Sequence, residues 1–383
     1  MQTPATPEEL AEALHVAAAA GRTIALSGNS TKRLMAGPVP AADISLSTAA
    51  LHRVLEYEPR DLTISVQAGM PWREFTGLLA ANRQMVPLDP PFAAGATVGG
   101  VVASNTSGPR RRLYGTARDL VIGMRFATLE GKLVQSGGMV VKNVAGLDMA
   151  KLMIGSFGTL AAIASVNFKL NPAPEVERSF LLPFDSAEAA IAARSQVLAG
   201  ALDPVALDML NPPAAAGLGN RAWLLAVRMG GGVPAAADRY EHELAPLAAG
   251  VAFDGEQPSA LWRHVEDFTP HFLEAHPDGA VVRVSCTLKG LEAVMVAFDG
   301  PAIARAGSGI CYGYFDHTDA AAAWMDEAVR RGWRAVIEFS PEARKSDLEL
   351  WPAPAGDLAT MRRVKELFDP GSLLNRGRLY RRI

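Results

Sequence analysis

Two stretches of small residues in the N-terminal half have the composition of anion-binding loops. The longer one runs from Pro90 to Gly108 and combines glycines and alanines with the short polar side chains of Thr97, Ser104 and Asn105. Glycine lets the backbone approach a ligand closely, so that consecutive amide N–H groups can converge on a phosphate. A glycine-rich turn packed with small residues would give the same pattern. A phosphate site is preferred because a second stretch of this kind, from Gly137 to Leu160, follows downstream.

A third loop of similar character follows the first predicted strand. Ser27 to Lys32 contains a glycine, several hydroxyl groups and one lysine directly after a strand predicted over residues 23–26. These groups suit a diphosphate because amide donors and a cation can share its charge. Arg110, Arg111 and Arg112 either neutralise a phosphate as well or form a solvated loop. Loops on both sides of one β-rich region can hold a long anionic ligand at two points.

Several common sites are missing from the sequence. There is no G-x-G-x-x-G after a strand and no G-x-x-x-x-G-K-[ST], so a dinucleotide would need another scaffold than the Rossmann or P-loop fold. The two cysteines, Cys286 and Cys311, form no CxxC motif that could hold zinc or an iron–sulfur cluster. No metal site is therefore predicted, and both cysteines are expected to be reduced packing residues.

Length and composition favour a protein of two domains. A chain of 383 residues with 49% hydrophobic and 20% charged residues is typical of soluble globular proteins with more than one core. A net charge of −3 provides no general attraction for nucleic acid. Residues 1–12 lack the basic and apolar regions of a signal peptide, which predicts a cytoplasmic protein.

The predicted elements divide the chain near residue 172. Thr6 to Ala20 is predicted to be a helix, since Thr6-Pro7-Glu8-Glu9 provides a cap, a first-turn proline and acidic residues. Short β-rich segments and a helix opened by Pro71 follow. Between Ser179 and Phe339 the order strand, helix, strand, strand, helix, strand indicates a ferredoxin-like layout with an antiparallel sheet.

The order of several motifs resembles the flavoproteins of the vanillyl-alcohol oxidase and p-cresol methylhydroxylase (PCMH) type. The motifs are Asn29–Lys32, Gly95–Gly100 with Ser104-Asn105, Tyr114-Gly115 with Arg118-Asp119, Lys142-Asn143 with Gly146 and Asp148, and Gly155–Leu160. The ending, with Phe368-Asp369-Pro370 and Leu374-Asn375, is similar to that family's C-terminal motif, although Arg376 stands where proline is usual. Residues 137–159 most resemble the FAD-binding subunit of bacterial glycolate oxidases.

The resemblance implies an α+β fold with a two-part PCMH-type FAD-binding domain and a ferredoxin-like α+β cap domain. The FAD domain would comprise residues 1–172 and a returning C-terminal segment, residues 351–383, and the cap domain residues 173–350. The implied cofactor-binding residues are Ser27, Gly28, Asn29, Ser30, Thr31, Lys32, Pro90, Gly95, Ala96, Thr97, Val98, Gly99, Gly100, Ser104, Asn105, Gly108, Tyr114, Gly115, Arg118, Asp119, Gly155, Gly158, Thr159, Ile163 and Asn375.

In this interpretation the diphosphate of FAD lies against the Asn29 loop and the Gly95–Gly100 loop, and adenine meets main chain between Gly158 and Ile163. Asn375 is either a donor to the flavin or a helix cap. Gly99→Val is expected to abolish FAD retention because the side chain would occupy the cofactor's space. FAD is expected to be non-covalent, since no histidine lies between Arg53 and Glu241.

The cap domain departs from catalytic relatives of this type, which carry a His-x-Gly-Asp-Gly-x-x-His motif. Residues 305–312, Arg-Ala-Gly-Ser-Gly-Ile-Cys-Tyr, stand in its place without the histidines or the acid. Oxidation of a 2-hydroxy acid requires a base for the hydroxyl proton and a cation for the carboxylate. Arg305 could bind a carboxylate, but no base is evident, and Tyr312 is a base or a packing residue. The catalytic residues therefore remain unassigned.

Three functions follow from this pattern. The first is the FAD-binding subunit of a glycolate-oxidising complex. This subunit would need a larger homologous FAD subunit and an iron–sulfur subunit. Through these partners it could also associate peripherally with the inner face of the membrane. The second is a stand-alone FAD-dependent oxidoreductase of a hydroxy acid or alcohol. The third is a scaffold that has lost the flavin. Arg376, Arg378, Arg381 and Arg382 would be a solvated tail or a partner-docking site.

Overall fold

The chain folds into two compact units, each with its own hydrophobic core. The computed structural model describes residues 1–139, 147–232, 235–248, 251–253, 257–353, 356–381 and 383. Unit 1 comprises Met1–Thr106, Thr116–Ala173 and Ala353–Ile383, and unit 2 comprises Ser107–Gly115 and Pro174–Pro352. None of the described helices has both the length and the apolar character needed to cross a membrane.

The strands are short and are numbered in chain order. They are β1 (Ile24–Ser27), β2 (Ile44–Ser47), β3 (Val54–Glu58), β4 (Thr63–Gln67), β5 (Gln84–Met85), β6 (Val121–Ala127), β7 (Leu133–Gly137), β8 (Ala162–Lys169), β9 (Asn171–Pro172), β10 (Val176–Phe184), β11 (Ala206–Leu210), β12 (Trp223–Gly231), β13 (Val251–Phe253), β14 (Ala280–Ser285), β15 (Ala302–Arg305), β16 (Ile310–Phe315) and β17 (Arg334–Phe339).

The α-helices are numbered in the same way. They are α1 (Pro7–Ala19), α2 (Trp72–Ala80), α3 (Val98–Ser104), α4 (Arg111–Tyr114), α5 (Ala117–Leu120), α6 (Ala150–Met153), α7 (Ala187–Ala199), α8 (Pro212–Ala215), α9 (Ala235–Leu244), α10 (Gln257–Glu266), α11 (Phe268–Ala275), α12 (Leu291–Val296), α13 (Thr318–Arg330) and α14 (Asp357–Phe368).

Unit 1 contains the two parts that the sequence predicts for an FAD domain. One part is the parallel pair β1–β2 beside α1, whose Leu10 and Leu14 are fully buried. The N-terminal signals of α1 operate as predicted, because the Thr6 hydroxyl accepts a hydrogen bond from the Glu9 amide at 3.1 Å. The other part is an antiparallel sheet of order β3-β4-β8-β6-β7, packed against α2 and α3.

The C-terminal segment joins the first of these parts. Leu374 forms a parallel bridge with Ile24 of β1, and the Ile24 amide donates to the Leu373 carbonyl at 2.8 Å. Leu374 is fully buried in the same core as α1 and β1. The segment therefore lies next to the loop that follows β1.

Unit 2 is built on one antiparallel sheet of order β13-β10-β12-β11-β15-β16-β14-β17. Side chains alternate between its faces, so that Leu207 and Met209 of β11 enter the core with α7, α9, α12 and α13, while Asp208 lies on the other face. Apart from the short helix α8 between β11 and β12, residues 176–253 and residues 280–339 each follow the order strand, helix, strand, strand, helix, strand. The two halves meet where β11 pairs with β15.

The predicted α+β class is confirmed, but two details of the prediction need correction. The sequence indicated one ferredoxin-like set of elements, whereas the sheet contains two such sets side by side, because β13 and β15 are additional strands. The prediction also assigned residues 107–115 to the FAD domain. They pack with unit 2, where Arg112 forms an ion pair with Asp203 at 2.7 Å.

Candidate cofactor site

Unit 1 contains a cavity of about 400 Å³ at the end of β1. Many residues that were predicted to bind the cofactor line it. They are Ser27, Gly28, Asn29, Ser30, Thr31, Lys32, Thr97, Gly99, Gly100, Ser104, Gly158, Ile163 and Asn375. The structure therefore brings the loop after β1, helix α3, the turn before β8 and the C-terminal segment to one place.

The loop after β1 offers amide groups to a ligand. Within the described part of the chain, the backbone N–H groups of Gly28 to Lys32 donate to no protein acceptor. The Asn29 side chain holds the loop in place by donating to the Gly95 carbonyl at 3.1 Å. Gly28 has to be glycine, since a β-carbon there would lie 2.3 Å from the Thr97 hydroxyl oxygen. This loop thus has the free donors that a diphosphate requires.

Lys32 is a buried cation in the wall of the cavity. Only 8% of the residue is exposed, its ammonium group donates to the Pro91 carbonyl, and it lies 5.4 Å from the centre of the Phe92 ring. Burial lowers the pKa of Lys32 from its usual 10.5 to about 7. An anion in the cavity would favour the charged form of this amine.

The Thr97–Ser104 segment was predicted to offer backbone amides to a phosphate, and the structure shows a different contribution to the cavity. Thr97 caps α3, and its hydroxyl accepts from the Gly100 amide at 3.2 Å. The amides of Val98 and Gly99 donate to Met70 and Ala68. Because these amides are already used within the protein, this loop supplies a wall of small residues and few free donors.

The structure also corrects the reason given for the effect of Gly99→Val. Gly99 lines the cavity, but a β-carbon on it would lie 2.7 Å from the Ala68 β-carbon and 2.9 Å from the Ala68 carbonyl oxygen. The side chain would therefore first displace α3 from the end of β4.

Asn375 lines the cavity but fulfils neither of its two predicted roles. Its side-chain oxygen accepts from the Leu26 amide at 2.7 Å, and its two amide hydrogens go to the carbonyls of Leu26 and Phe157 at 3.0 and 2.8 Å. No hydrogen is left for a flavin oxygen, and α14 already ends at Phe368. Asn375 instead fastens the C-terminal segment to β1 and to the turn at Phe157.

Arg378 was predicted to be part of a solvated tail or docking site, and the structure shows that it is buried. Its guanidinium donates to the carbonyls of Gly37 and Lys32 and lies 5.3 Å from the centre of the Phe157 ring. It lines the cavity together with Ala103, Phe157 and Ala161, which lie in the predicted segments. The cavity is also lined by residues that the sequence did not single out, namely Met1, Ala25, Leu26, Arg33, Val39, Pro40, Ala41, Ala42, Ser45 and Thr48. These lack a motif of their own, so sequence patterns could not identify them. Arg382 lies outside the described residues.

The other predicted residues are not among those that line the cavity. They are Pro90, Gly95, Ala96, Val98, Asn105, Gly108, Tyr114, Gly115, Arg118, Asp119, Gly155 and Thr159. Some have evident structural roles. Thr116 and Asp119 form a capping box at the start of α5, and Arg118 donates to the Lys151 carbonyl at 3.0 Å. Gly108, Tyr114 and Gly115 belong to unit 2. Lys142, Asn143 and Gly146 lie outside the described residues.

A polar cluster lies on the face of the unit 2 sheet opposite α7, α9, α12 and α13. Arg305 forms a buried ion pair with Asp208 and lies 5.5 Å from the centre of the Tyr312 ring. Burial acts to lower the pKa of Arg305, but Asp208 together with Tyr312 and Tyr314 more than offsets this, so the pKa is raised overall. Burial also raises the pKa of Tyr312 to about 12. Tyr312 is therefore a protonated phenol at neutral pH and a poor base.

The chain matches two family profiles at the positions that build the cavity. The family described as FAD binding domain matches residues 2–137, and the family described as FAD linked oxidases, C-terminal domain, matches residues 351–379. The first match includes the Gly28–Lys32 loop and α3, and the second includes Asn375. The cavity and these matches define an FAD-linked oxidoreductase fold with FAD as its cofactor. More narrowly, the two matches identify an FAD binding domain and the C-terminal domain of FAD linked oxidases, and together they cover less than half of the chain.

Several curated proteins are similar to part of this chain. Glycolate oxidase subunit GlcE of Escherichia coli (strain K12) is 35% identical over 158 residues, which are 41% of this chain and 44% of that protein. Glycolate oxidase subunit GlcD of Bacillus subtilis (strain 168) is 31% identical over 163 residues, or 43% of this chain and 35% of that protein. D-lactate dehydrogenase of Anaerostipes hadrus is 32% identical over 168 residues, or 44% and 35%. The matched region thus spans less than half the length of each relative.

Solved structures resemble the chain over nearly its whole length. An alkyldihydroxyacetonephosphate synthase aligns with a TM-score of 0.73 and 18% identity, covering 97% of this chain and 75% of that protein. The 4-ethylphenol oxidase from Gulosibacter chungangensis also aligns with a TM-score of 0.73, at 13% identity, covering 99% and 88%. At such identities the likeness defines the fold alone.

Proposed function

We propose that this chain is the FAD-binding subunit of a complex that oxidises glycolate or another 2-hydroxy acid. In this proposal a larger homologous FAD subunit holds the substrate, and an iron–sulfur subunit removes the electrons. Two of the relatives are named as glycolate oxidase subunits, and others as dehydrogenases of D-lactate and D-2-hydroxyglutarate. The proposal transfers the function in those names to this chain, whose matched region covers less than half of each relative.

One structural observation carries the cofactor part of the proposal. The residues Gly28 to Lys32 line a cavity with free backbone amides and a buried ammonium group, and this arrangement suits the diphosphate of FAD. Small residues such as Gly100, Ala103 and Gly158 leave room for planar rings beside it. FAD would supply the capacity to accept two electrons, while the residues of this chain bind it and exclude water.

The need for a second flavoprotein subunit is inferred from the polar cluster of unit 2. Hydroxyl oxidation requires a base, and Tyr312, with a pKa of about 12, cannot accept a proton readily at neutral pH. The Arg305 guanidinium is already paired with Asp208. A homologous subunit with a base and an available cation would complete the reaction.

A stand-alone FAD-dependent oxidoreductase of a hydroxy acid or alcohol is the second candidate. The observation that favours it is the concentration of Arg111, Arg283 and Arg305 around Tyr312, where each acts to lower the pKa of the phenol. Asp208 and Glu338 pair with Arg305 and Arg283, so three arginines against two carboxylates leave one excess positive charge to attract a carboxylate substrate.

The two candidates differ in what the purified chain can do alone. The chain should show flavin absorption bands after incubation with FAD, and a scaffold without flavin should not. Anaerobic addition of glycolate or D-lactate should leave the bound flavin oxidised if the chain is a dependent subunit, and co-expression with the two partner subunits should restore turnover. Bleaching of the flavin in the isolated chain would overturn the complex proposal in favour of the stand-alone enzyme.

A matched variant makes this test sharper. Tyr312→Phe removes the phenol but keeps the ring against Arg305. A dependent subunit should support unchanged turnover of the complex with this variant, whereas a stand-alone enzyme that uses the cluster should lose activity. Circular dichroism would verify that the variant is folded.

A further inference from the structure

Lys32 is a buried amine, and no carboxylate among the residues that the structure describes balances its charge. Burial is what shifts its pKa, and no charged neighbour among the described residues offsets that shift. Its hydrogen bond goes to the neutral carbonyl of Pro91. A buried ammonium group in such surroundings is costly, because its charge has lost most of its hydration.

The segments around Lys32 contain few ionisable groups. Arg33 follows it in the same loop, Arg378 donates to the Lys32 carbonyl at 3.1 Å, and Asp89 lies buried at the start of the Pro90 segment. No ion pair joins Lys32 to a described carboxylate within 4.0 Å. A balancing anion therefore has to come from outside the described residues.

We propose that Lys32 links FAD binding to proton uptake, because its amine takes a proton from solvent as the cofactor diphosphate enters the cavity. The inference rests on the proposed position of the diphosphate beside the Gly28–Lys32 loop. The neutral amine becomes an ammonium group, which pairs with the diphosphate together with the free amides of the loop. The energy gained from that pairing compensates for the burial of the charge.

The direction in which FAD affinity changes with pH follows from the pKa of Lys32 in the FAD-free chain. Below pH 7 Lys32 is already charged in the FAD-free chain, so FAD binding is accompanied by the uptake of only a small fraction of a proton. Above pH 7 the amine is neutral before binding and gains a proton on binding. The dissociation constant for FAD should therefore rise by about tenfold per pH unit above neutrality, until the pKa of the complex is reached.

Calorimetric titration of the full-length, FAD-free chain with FAD measures this proton directly. Titrations in buffers of different ionisation enthalpy should give an uptake that approaches one proton per FAD at pH 8 and is clearly smaller at pH 6. FAD binding without proton uptake at pH 8 would overturn the inference and leave the cofactor assignment intact. A failure of FAD to bind at any pH would instead overturn the proposed function and the inference with it.

Three variants separate Lys32 from other sources of protons. Lys32→Arg keeps a permanent charge, so FAD should bind with no uptake and with constant affinity between pH 6 and pH 8. Lys32→Met should bind FAD at least tenfold more weakly at pH 6 and should also show no uptake. Lys132→Met removes an exposed lysine outside the cavity and should behave as wild type. Proton uptake that persists in Lys32→Arg would assign the proton to another group and overturn the inference.

Discussion

Lys365 keeps its charge inside unit 1 because three oxygen atoms surround it. Its ammonium group donates to the Thr159 carbonyl at 2.7 Å, to the Asp369 carboxylate at 2.6 Å and to the Leu374 carbonyl at 3.0 Å. The same carboxylate accepts from the amides of Leu373 and Leu374. Burial lowers the pKa of Lys365, and Asp369 opposes this. The pair thus connects α14, the entry to β8 and the C-terminal segment.

Lys365→Met should therefore destabilise unit 1 strongly. The variant would leave Asp369 buried without its cation, and breaking a buried pair in this way costs about 3–5 kcal/mol. Urea unfolding followed by circular dichroism would measure the loss. Arg363→Met removes an exposed charge from the same helix and should change stability by less than about 0.5 kcal/mol. Equal stability of the two variants would contradict the role of the pair.

At the level of residues, the sequence indicated which residues line the cavity better than it indicated what their side chains contact. Ser27 to Lys32 were singled out because a glycine and a lysine directly after a strand form a local pattern, and all six residues line the cavity. The roles of Asn375 and Arg378 depend on partners more than 200 residues away in the chain, such as Phe157 and Lys32. No local pattern reports contacts of that kind.

Helix α3 owes its position to a glycine at the contact with β4. The Gly99 amide donates to the Ala68 carbonyl at 2.7 Å, which brings the two backbones too close for a side chain. Gly77 in α2 provides a contrast, because it is exposed and a β-carbon there would meet no atom within 4 Å.

The same substitution should therefore have opposite effects in the two helices. Gly99→Ala should lower the free energy of unfolding by about 1–3 kcal/mol through overpacking. Gly77→Ala should raise it by about 0.5–1 kcal/mol, because alanine is the better helix former. Thermal or urea unfolding of the two variants beside wild type tests both signs at once. Stabilisation by Gly99→Ala would show that α3 can move away from Ala68 without cost.

At the level of elements, helices whose ends carry strong sequence signals were predicted reliably, whereas short elements were not predicted. Helix α1 begins and ends within a residue or so of its predicted limits, because a threonine cap and a first-turn proline define its start. Strand β15 has only four residues, all buried, and therefore shows no alternation of polar and apolar positions. Without it, the second ferredoxin-like half was not recognisable from the sequence.

The whole molecule contains separate cores in its two units, and this has a thermodynamic consequence. Differential scanning calorimetry should resolve two transitions, or one broad transition that does not fit a two-state model. FAD should raise the temperature of the unit 1 transition alone, because ligand binding stabilises only the part that folds around it. A single two-state transition that shifts as a whole with FAD would contradict independent cores.

The path of the chain sets an order of events during synthesis. The loop after β1 is made early, whereas Lys365, Asp369 and Asn375, which complete and fasten the pocket, emerge from the ribosome only after all of unit 2. Unit 2 can fold while the first unit still lacks these residues. Capture of the flavin should therefore be a late step in maturation, and a ribosome stalled within unit 2 should carry a nascent chain that cannot retain it.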